Sequence, residues 1–317
     1  MMSMNRRKVA ISLVPQRVCP DVTQLPQPCQ GHSTTHLTSY HDDGNEQNTT
    51  ESLIVFGGRL NNPRTNSKQR KRGVRTYTNH MYRYSIGDRA WSRIVPRNEN
   101  EADVPSPRHN HSAVMVTRVD DSGDVSCLNR GVKMIVYGGS GVDGYLDDVY
   151  CFDFESNVWE KWECSGADDE KPGARHGHTA CLLNNDQMIV FGGKVGVQST
   201  VFFNDCHVLD LKSRKWSRLF AQDNTVLKTP DTTVVPPPRC WHTANMLTEQ
   251  EMMIFGGFRF DGRREIYFND TWVFHVVDRT WQRIVPKTAD QPVPHVRNRH
   301  SCTLLGDHLL MFGGNYL

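Results

Sequence analysis

The chain has 317 residues, a hydrophobic fraction of 37% and a formal net charge of +2 at pH 7. This length fits one large domain or two ordinary ones, and the apolar content can form a buried core. The near-neutral charge argues against nucleic-acid binding over the whole surface, and no apolar run approaches the roughly 18 residues of a membrane span. The nine cysteines follow no regular spacing, which indicates unpaired thiols in a reducing compartment.

Five short apolar runs, each typical of a β-strand, end in a pair of glycines. The pairs are Gly57-Gly58, Gly138-Gly139, Gly192-Gly193, Gly256-Gly257 and Gly313-Gly314. Such self-similarity indicates a repeat architecture, and it lowers the expectation of enzyme chemistry because repetition produces surfaces more readily than one unique active site.

Three further features recur around each glycine pair. A His-Ser or His-Thr step precedes it, as at His111-Ser112, and an Asn or Asp step follows it, as at Asn269-Asp270. A tryptophan then closes four of the units, at Trp91, Trp159, Trp216 and Trp281. Each unit therefore predicts four short strands: A from the histidine, B ending at the glycine pair, C after the Asn or Asp step, and D from the tryptophan. The spacing leaves no room for helices of ten or more residues.

The order of glycine pair, aromatic-bearing C strand and tryptophan resembles kelch repeats, over about residues 32 to 317. The resemblance implies an all-β fold, a kelch-type β-propeller of four-stranded antiparallel blades arranged around a central channel. Four blades are complete and a fifth is begun. We expect the glycine pairs to adopt positive φ and permit close backbone approach, and the tryptophans to fill the wedges between adjacent blades.

The blade count predicts that the propeller, at residues 32–317, is truncated at its C-terminus. Residues 1–31 form a separate N-terminal segment. Within it, Val9–Pro15 resembles the D strand Trp281–Pro286 without its tryptophan. We expect this segment to close the ring by completing the last blade, although strand C of that blade would still be missing.

The longest loops fall on one face of the predicted disc, formed by the B–C and D–A connections, which we call the loop face. Loops on a rigid scaffold often carry binding residues. The B–C loops are basic, and bidentate arginine contacts suit a carboxylate or phosphate. The partner-binding candidates are Arg59, Lys194, Arg259, Arg263 and Arg264. The basic run Lys68–Arg75 has three open interpretations: a solvated loop, a nuclear import signal or a contact for an acidic partner.

The recurring histidines raise the question of a metal site, because His109/His111 and His176/His178 are spaced at i, i+2. A histidine that recurs in every unit is typical of a structural hydrogen bond, and the pattern lacks the carboxylate or cysteine partners of a defined metal site. We therefore predict no catalytic residue, no metal and no cofactor. A copper oxidase of the galactose oxidase type shares the propeller architecture and remains the enzymatic alternative.

The resemblance is to intracellular kelch-only proteins, which include substrate receptors of ubiquitin ligases, Rab effectors and host-cell-factor-like scaffolds. It implies a non-enzymatic module, cytoplasmic or nuclear, that binds a protein or peptide partner on the loop face. As a receptor, it would capture a peptide or its C-terminal carboxylate with basic loops. No membrane partner is expected, and a cytoskeletal or nucleic-acid-associated scaffold is a further alternative. The link to ubiquitin ligases rests on family analogy alone.

Overall fold

The computed structural model describes residues 26–27, 29–42, 47–60, 76–98, 100–117, 131–197, 200–220, 235–286, 288 and 293–316. Strands dominate, and the one helix in these ranges is a short 3-10 turn at Glu101–Asp103. Nothing helical in this part of the chain is long and apolar enough to cross a lipid bilayer. The predicted closing strand at Val9–Pro15 and the basic run Lys68–Arg75 lie outside the described residues, and both stay predictions.

The first two repeats each form one antiparallel sheet. In blade one, strand A is divided into two pieces that both pair with the long B strand. Its strands are β1 (Cys29–Gln30), β2 (Ser33–Asp42), β3 (Gln47–Leu60), β4 (Tyr77–Ser85) and β5 (Ala90–Ile94). Blade two consists of β6 (Ser112–Val116), β7 (Lys133–Gly141), β8 (Gly144–Asp153) and β9 (Val158–Trp162).

Blades three and four repeat this meander. Blade three consists of β10 (Thr179–Leu183), β11 (Gln187–Phe191), β14 (Cys206–Asp210) and β15 (Lys215–Phe220). Its B–C connection adds a small hairpin of β12 (Lys194–Val195) and β13 (Val201–Phe202). Blade four consists of β16 (Thr243–Thr248), β17 (Glu251–Phe260), β18 (Glu265–His275) and β19 (Thr280–Ile284).

The fifth repeat contributes a two-stranded sheet of β20 (Ser301–Leu305) and β21 (His308–Phe312). The A strands of successive repeats are neighbours: β2 lies beside β6, β6 beside β10, β10 beside β16, and β16 beside β20. The sheets therefore fan out from a common hub. This arrangement confirms the predicted β-propeller with four complete blades and a partial fifth.

The glycine pairs sit where neighbouring blades approach most closely. Both glycines of every pair have positive φ, as predicted. A Cβ on Gly256 would lie 2.8 Å from the Arg297 carbonyl oxygen and 3.0 Å from His300 Cε1, both in the next repeat. The sequence predicts that strand B ends at the glycine pair. In blades one, two and four, strand B instead continues past the pair, and its pairing with strand C shifts register there. The pair is thus a bulge rather than a stop.

The wedges between blades are filled by aromatic side chains. In blades one to three, the B-strand ring before the glycine pair packs on the D-strand tryptophan of the next blade. Ring centroids are 5.1 Å apart for Phe56 and Trp159, 5.3 Å for Tyr137 and Trp216, and 4.8 Å for Phe191 and Trp281. These tryptophans are buried, whereas Trp91 of blade one is only partly buried. The predicted wedge-filling role is confirmed for the three inner tryptophans.

The A-strand histidines connect successive blades by hydrogen bonds. The Nε2 atom of each lies within 2.9 Å of a hydroxyl oxygen on the preceding A strand: His111 with Ser33, His178 with Ser112, His242 with Thr179, and His300 with Thr243. All four histidines are buried. This geometry explains the His-Ser/Thr step, since each repeat supplies the histidine for one interface and the hydroxyl for the next.

Candidate functional site

A cavity of about 1020 Å³ opens where the five A strands converge. Most of its lining comes from the D–A and B–C connections, so it lies on the loop face. We call it the mouth cavity and describe it by six of its lining residues: Arg59, Tyr145, His176, Lys194, Trp241 and Arg299. The described residues that line it include no aspartate or glutamate. The cavity therefore combines cationic and aromatic groups without an internal counter-charge.

The rim of this cavity is a chain of backbone hydrogen bonds between repeats. The residue before each A-strand histidine donates its N–H to the equivalent carbonyl of the preceding repeat. The distances are 2.7 Å from Asn110 to Gly31, 2.9 Å from Gly177 to Asn110, 2.7 Å from Trp241 to Gly177 and 2.9 Å from Arg299 to Trp241. These five positions therefore hold the rim in one fixed geometry.

All five rim positions have a left-handed backbone, with φ between +51° and +69°. Glycine occupies two of them, where it adopts this conformation without strain. Trp241 and Arg299, both at φ +55°, occupy a conformation that costs an L-residue roughly 1–2 kcal/mol. Strained residues of this kind cluster at binding sites. Trp241 and Arg299 thus occupy positions whose backbone conformation favours glycine.

Two cations lie within cation–π distance of the Trp241 ring. The Arg299 Cζ atom lies 3.9 Å from the Trp241 ring centroid and the Lys194 Nζ atom 4.9 Å from it. Beneath them, Trp241 stacks on Phe258 at 5.7 Å, within a small apolar cluster that includes Phe202. Because the ring is supported from below, both cations are fixed in position by cation–π contacts.

The charges of the mouth cavity repel one another. Burial lowers the pKa of Arg299 from its ordinary value, and repulsion from Arg59 lowers it further. Burial, with repulsion from Lys194, lowers the pKa of His176 to about 3, so this imidazole is neutral at pH 7. Tyr145 contacts the His176 ring at 5.0 Å and donates its hydroxyl to the Gly196 carbonyl at 2.9 Å. An anion in the cavity would relieve the repulsion among these cations.

The chain matches the family model described as the KLHDC2/KLHL20/DRC7 Kelch-repeats domain over residues 16–228 and 219–316. It belongs to the kelch-repeat family. It is 28% identical over 261 residues to Kelch domain-containing protein 3 of Homo sapiens, covering 67% of this chain and 62% of that protein.

Two further relatives of this kelch chain have different names. One is the Rab9 effector protein with kelch motifs of Xenopus laevis, 26% identical over 71% of this chain and 53% of that protein. The other is Host cell factor homolog hcf-1 of Caenorhabditis elegans, 24% identical over 75% of this chain and 30% of that protein. The chain thus spans less than two thirds of the length of each of these relatives.

The structure separates the five sequence-predicted site residues of this kelch propeller into two groups. Arg59 and Lys194 line the mouth cavity. Arg259 lies outside its lining, half-buried on β17, where burial lowers its pKa. Arg263 and Arg264 lie at the exposed end of the β17–β18 hairpin, where their backbone N–H groups both donate to Asp261 at 2.9 Å. These three therefore occupy a different part of the loop face.

The aromatic and cationic cavity residues that come from the D–A connections, chiefly Trp241 and Arg299, were not predicted from the sequence. A signal for them was present in the repeat alignment, because they stand where two other repeats have glycine. His176, noted only as half of an i, i+2 pair, also faces the cavity. In the described ranges, no three His, Cys, Asp or Glu side chains are grouped closely enough to hold a metal ion.

Proposed function

We propose that this kelch propeller is a protein-interaction module whose mouth cavity binds the C-terminal carboxylate end of a partner polypeptide. The observation that carries the proposal is the convergence of Arg59, Lys194 and Arg299 in a cavity without a lining carboxylate. A guanidinium presents paired N–H donors that match the two oxygens of a carboxylate. A peptide carboxylate would therefore supply the missing counter-charge.

The aromatic wall gives this proposal its second element. Trp241 and Tyr145 offer flat apolar surfaces beside the cations, and such surfaces suit the main chain and small side chains near a peptide terminus. Because the rim is fixed by backbone hydrogen bonds and Trp241 is packed from below, little ordering entropy is lost on binding. Rigid, desolvated cation sites of this kind favour binding of one charged group in a defined orientation.

A receptor or scaffold role fits this mode of binding. The name of the Xenopus laevis relative describes an effector of Rab9. By analogy with that relative and with kelch-domain substrate receptors, the propeller would hold its partner at the mouth cavity and present it to other components.

Charge reversal tests the proposed surface. Arg299→Glu combined with Lys194→Glu should abolish capture of partners from an extract, as measured by affinity purification and mass spectrometry. Arg263→Glu combined with Arg264→Glu is the matched control, because it changes the same charge on the exposed β17–β18 hairpin. If partners are still captured by the Arg299→Glu, Lys194→Glu variant, the mouth cavity is not the binding surface. If capture is lost only in the Arg263→Glu, Arg264→Glu variant, the β17–β18 hairpin is the binding surface instead.

A further inference from the structure

An aromatic surface leads from the mouth cavity onto the β17–β18 hairpin of blade four. In the pairing of these two strands, Phe258 lies opposite Tyr267. Two residues farther along β17, Phe260 lies opposite Glu265. Directly opposed residues project from the same face of an antiparallel pair, and so do residues two apart on one strand. Four side chains therefore share one face, which we call the hairpin ledge: Phe258, Phe260, Glu265 and Tyr267.

The hairpin ledge is continuous with the cationic part of the mouth cavity. Phe258 stacks on Trp241 at 5.7 Å, and Tyr267 contacts Phe258 at 5.1 Å. Trp241 is also the ring over which the Arg299 and Lys194 side chains lie. The rings therefore form an unbroken path from two cations of the mouth cavity to the hairpin.

The outer part of the hairpin ledge is an exposed apolar surface. Phe258, at the inner end, is only 8% exposed because it packs against Phe202 of blade three and against Trp241. Phe260 is 45% exposed. Because Phe258 and Phe260 share a face, the Phe260 ring lies on the side of the hairpin that is turned toward blade three. An apolar side chain of a bound polypeptide would cover this ring.

The hairpin ledge ends in a carboxylate that has no cationic partner among the described residues. Tyr267 donates its hydroxyl to Glu265 Oε2 at 2.9 Å, and no lysine, arginine or histidine in that part of the chain forms an ion pair with Glu265. Arg264 Nε instead lies 3.6 Å from Asp261 Oδ2, and Arg259 projects from the opposite face of the hairpin. The charge along the surface thus changes from positive at the mouth cavity to negative at Glu265.

We propose that the hairpin ledge binds the segment of the partner that precedes its C-terminal carboxylate, with an apolar residue against Phe260 and a lysine or arginine against Glu265. This inference rests on the carboxylate binding proposed for the mouth cavity. A segment of this kind has the complementary order of charges, negative at its terminal carboxylate and positive at its basic residue. Charge complementarity therefore determines the direction of the bound peptide and the charge of one of its side chains.

The contact distances set the position of the basic residue. Ring-to-ring steps of 5.7 Å and 5.1 Å lead from Trp241 through Phe258 to Tyr267, and the two residues from Tyr267 to Glu265 span about 7 Å of strand. An extended peptide advances about 3.3 Å per residue. The basic residue is therefore expected roughly three to five residues before the C-terminal residue, with the apolar residue two positions after it on the same side of the peptide.

Fluorescence anisotropy with a set of designed peptides tests this position. Each labelled peptide consists of glycine and serine, ends in a free carboxylate and carries one Lys-Ser-Leu segment, which is moved along the peptide one residue at a time. We expect the tightest binding when the lysine stands roughly three to five residues before the end. Replacement of this lysine by glutamate should weaken binding about fivefold, and the difference should shrink as the salt concentration rises.

Variants of the protein locate the contact. Glu265→Gln should remove the preference for lysine over glutamate, and Glu265→Lys should reverse it, which a misfolded variant would not do. Phe260→Ser should remove the advantage of leucine over glycine at the apolar position. Glu251→Gln is the matched control, because Glu251 lies at the other end of β17, where it pairs with His275 of β18. This control should leave all these preferences unchanged.

The same peptides with a carboxamide end separate this inference from the proposed function. If the carboxylate peptides bind more tightly than the carboxamide peptides, but the position of the lysine or the Glu265 substitutions have no effect, the hairpin ledge is overturned and the mouth cavity stands. If both kinds of peptide bind equally well, the carboxylate binding fails and this inference fails with it. An absence of binding at millimolar concentration would overturn both.

Discussion

Arg299 adopts a left-handed backbone, φ +55°, at a repeat position where Gly31 and Gly177 stand in other blades. Its guanidinium stacks on Trp241, which has the same backbone conformation. Two neighbouring rim positions thus carry strain and both direct a side chain to the mouth cavity. At the scale of residues, we infer that binding rather than folding accounts for these two residue types.

This inference predicts an unusual order of stability. Arg299→Gly and Arg299→Ala both remove the guanidinium, but only glycine also removes the left-handed strain. The glycine variant should therefore be the more stable one, with a free energy of unfolding about 1 kcal/mol higher than that of the alanine variant. Urea denaturation of the two proteins measures the difference, and an alanine variant as stable as the glycine variant would contradict the strain argument.

The wedge tryptophans predict a second contrast between residues. Trp159 is buried between Phe56 and Phe152, so Trp159→Ala should lower the free energy of unfolding by about 3–5 kcal/mol. Trp91 occupies the same repeat position but is only partly buried, and Trp91→Ala should lower it clearly less. Equal losses in urea denaturation would show that the aromatic wedge does not hold the blades together.

At the scale of elements, the blade interfaces depend on neutral histidines. Burial lowers the pKa of His111, His178 and His242 well below the ordinary value, and that of His300 to about 4. Well above pH 6.5, neither the folded nor the unfolded chain protonates them. As the pH falls below about 6.5, the unfolded chain binds protons that the folded chain excludes, so the stability of the fold decreases.

The expected loss is up to about 1.4 kcal/mol per pH unit for each buried histidine, and for His300 it continues to about pH 4. Urea unfolding at a series of pH values between about 7.5 and 5 measures this slope. The His242→Asn variant should show a shallower decline than the unsubstituted chain, because one proton-excluding site is gone. If stability declined equally steeply in both proteins, protonation of His242 would not contribute to the loss of stability at low pH.

The glycine pairs provide a matched comparison within one repeat position. Gly256 and Gly313 have nearly the same φ, +68° and +67°, but a Cβ at Gly256 meets the next repeat, whereas none of the residues that the structure describes lies within 4 Å of one at Gly313. Gly256→Ala should therefore destabilise the protein more than Gly313→Ala, whose cost is the backbone strain of about 1–2 kcal/mol. Similar thermal unfolding of the two variants would contradict the close-approach explanation.

The strands illustrate what local sequence can predict. The glycine pairs, histidine steps and tryptophans specify the order of strands A to D, because each residue type answers a local geometric requirement. The continuation of β3, β7 and β17 beyond their glycine pairs was not predicted, because a glycine with positive φ is expected both at a β-bulge and at the end of a strand. Three buried ion pairs were also not predicted, because their two members lie 30 to 40 residues apart in the sequence. They are Arg108 with Asp148, Arg175 with Asp205, and Arg239 with Asp270.

At the scale of the whole molecule, the repeat predicts the radial arrangement but not the composition of the hub. The B–C loop residues Arg59 and Lys194 were candidates because basic loops are visible in the sequence. Trp241 and Arg299 join them only when blades one, three, four and five converge on one cavity. Since each repeat contributes only one or two of the six residues used to describe the cavity, no single segment of the chain has the pattern of a binding site.

The binding of a terminal carboxylate, as proposed for the mouth cavity, can be tested with one pair of ligands. Isothermal titration calorimetry compares a partner-derived peptide that ends in a free carboxylate with the same peptide ending in a carboxamide. We expect the carboxylate peptide to bind at least about tenfold more tightly, and we expect Arg299→Gln to remove this difference. Equal affinities for the two peptides in the unsubstituted protein would contradict it.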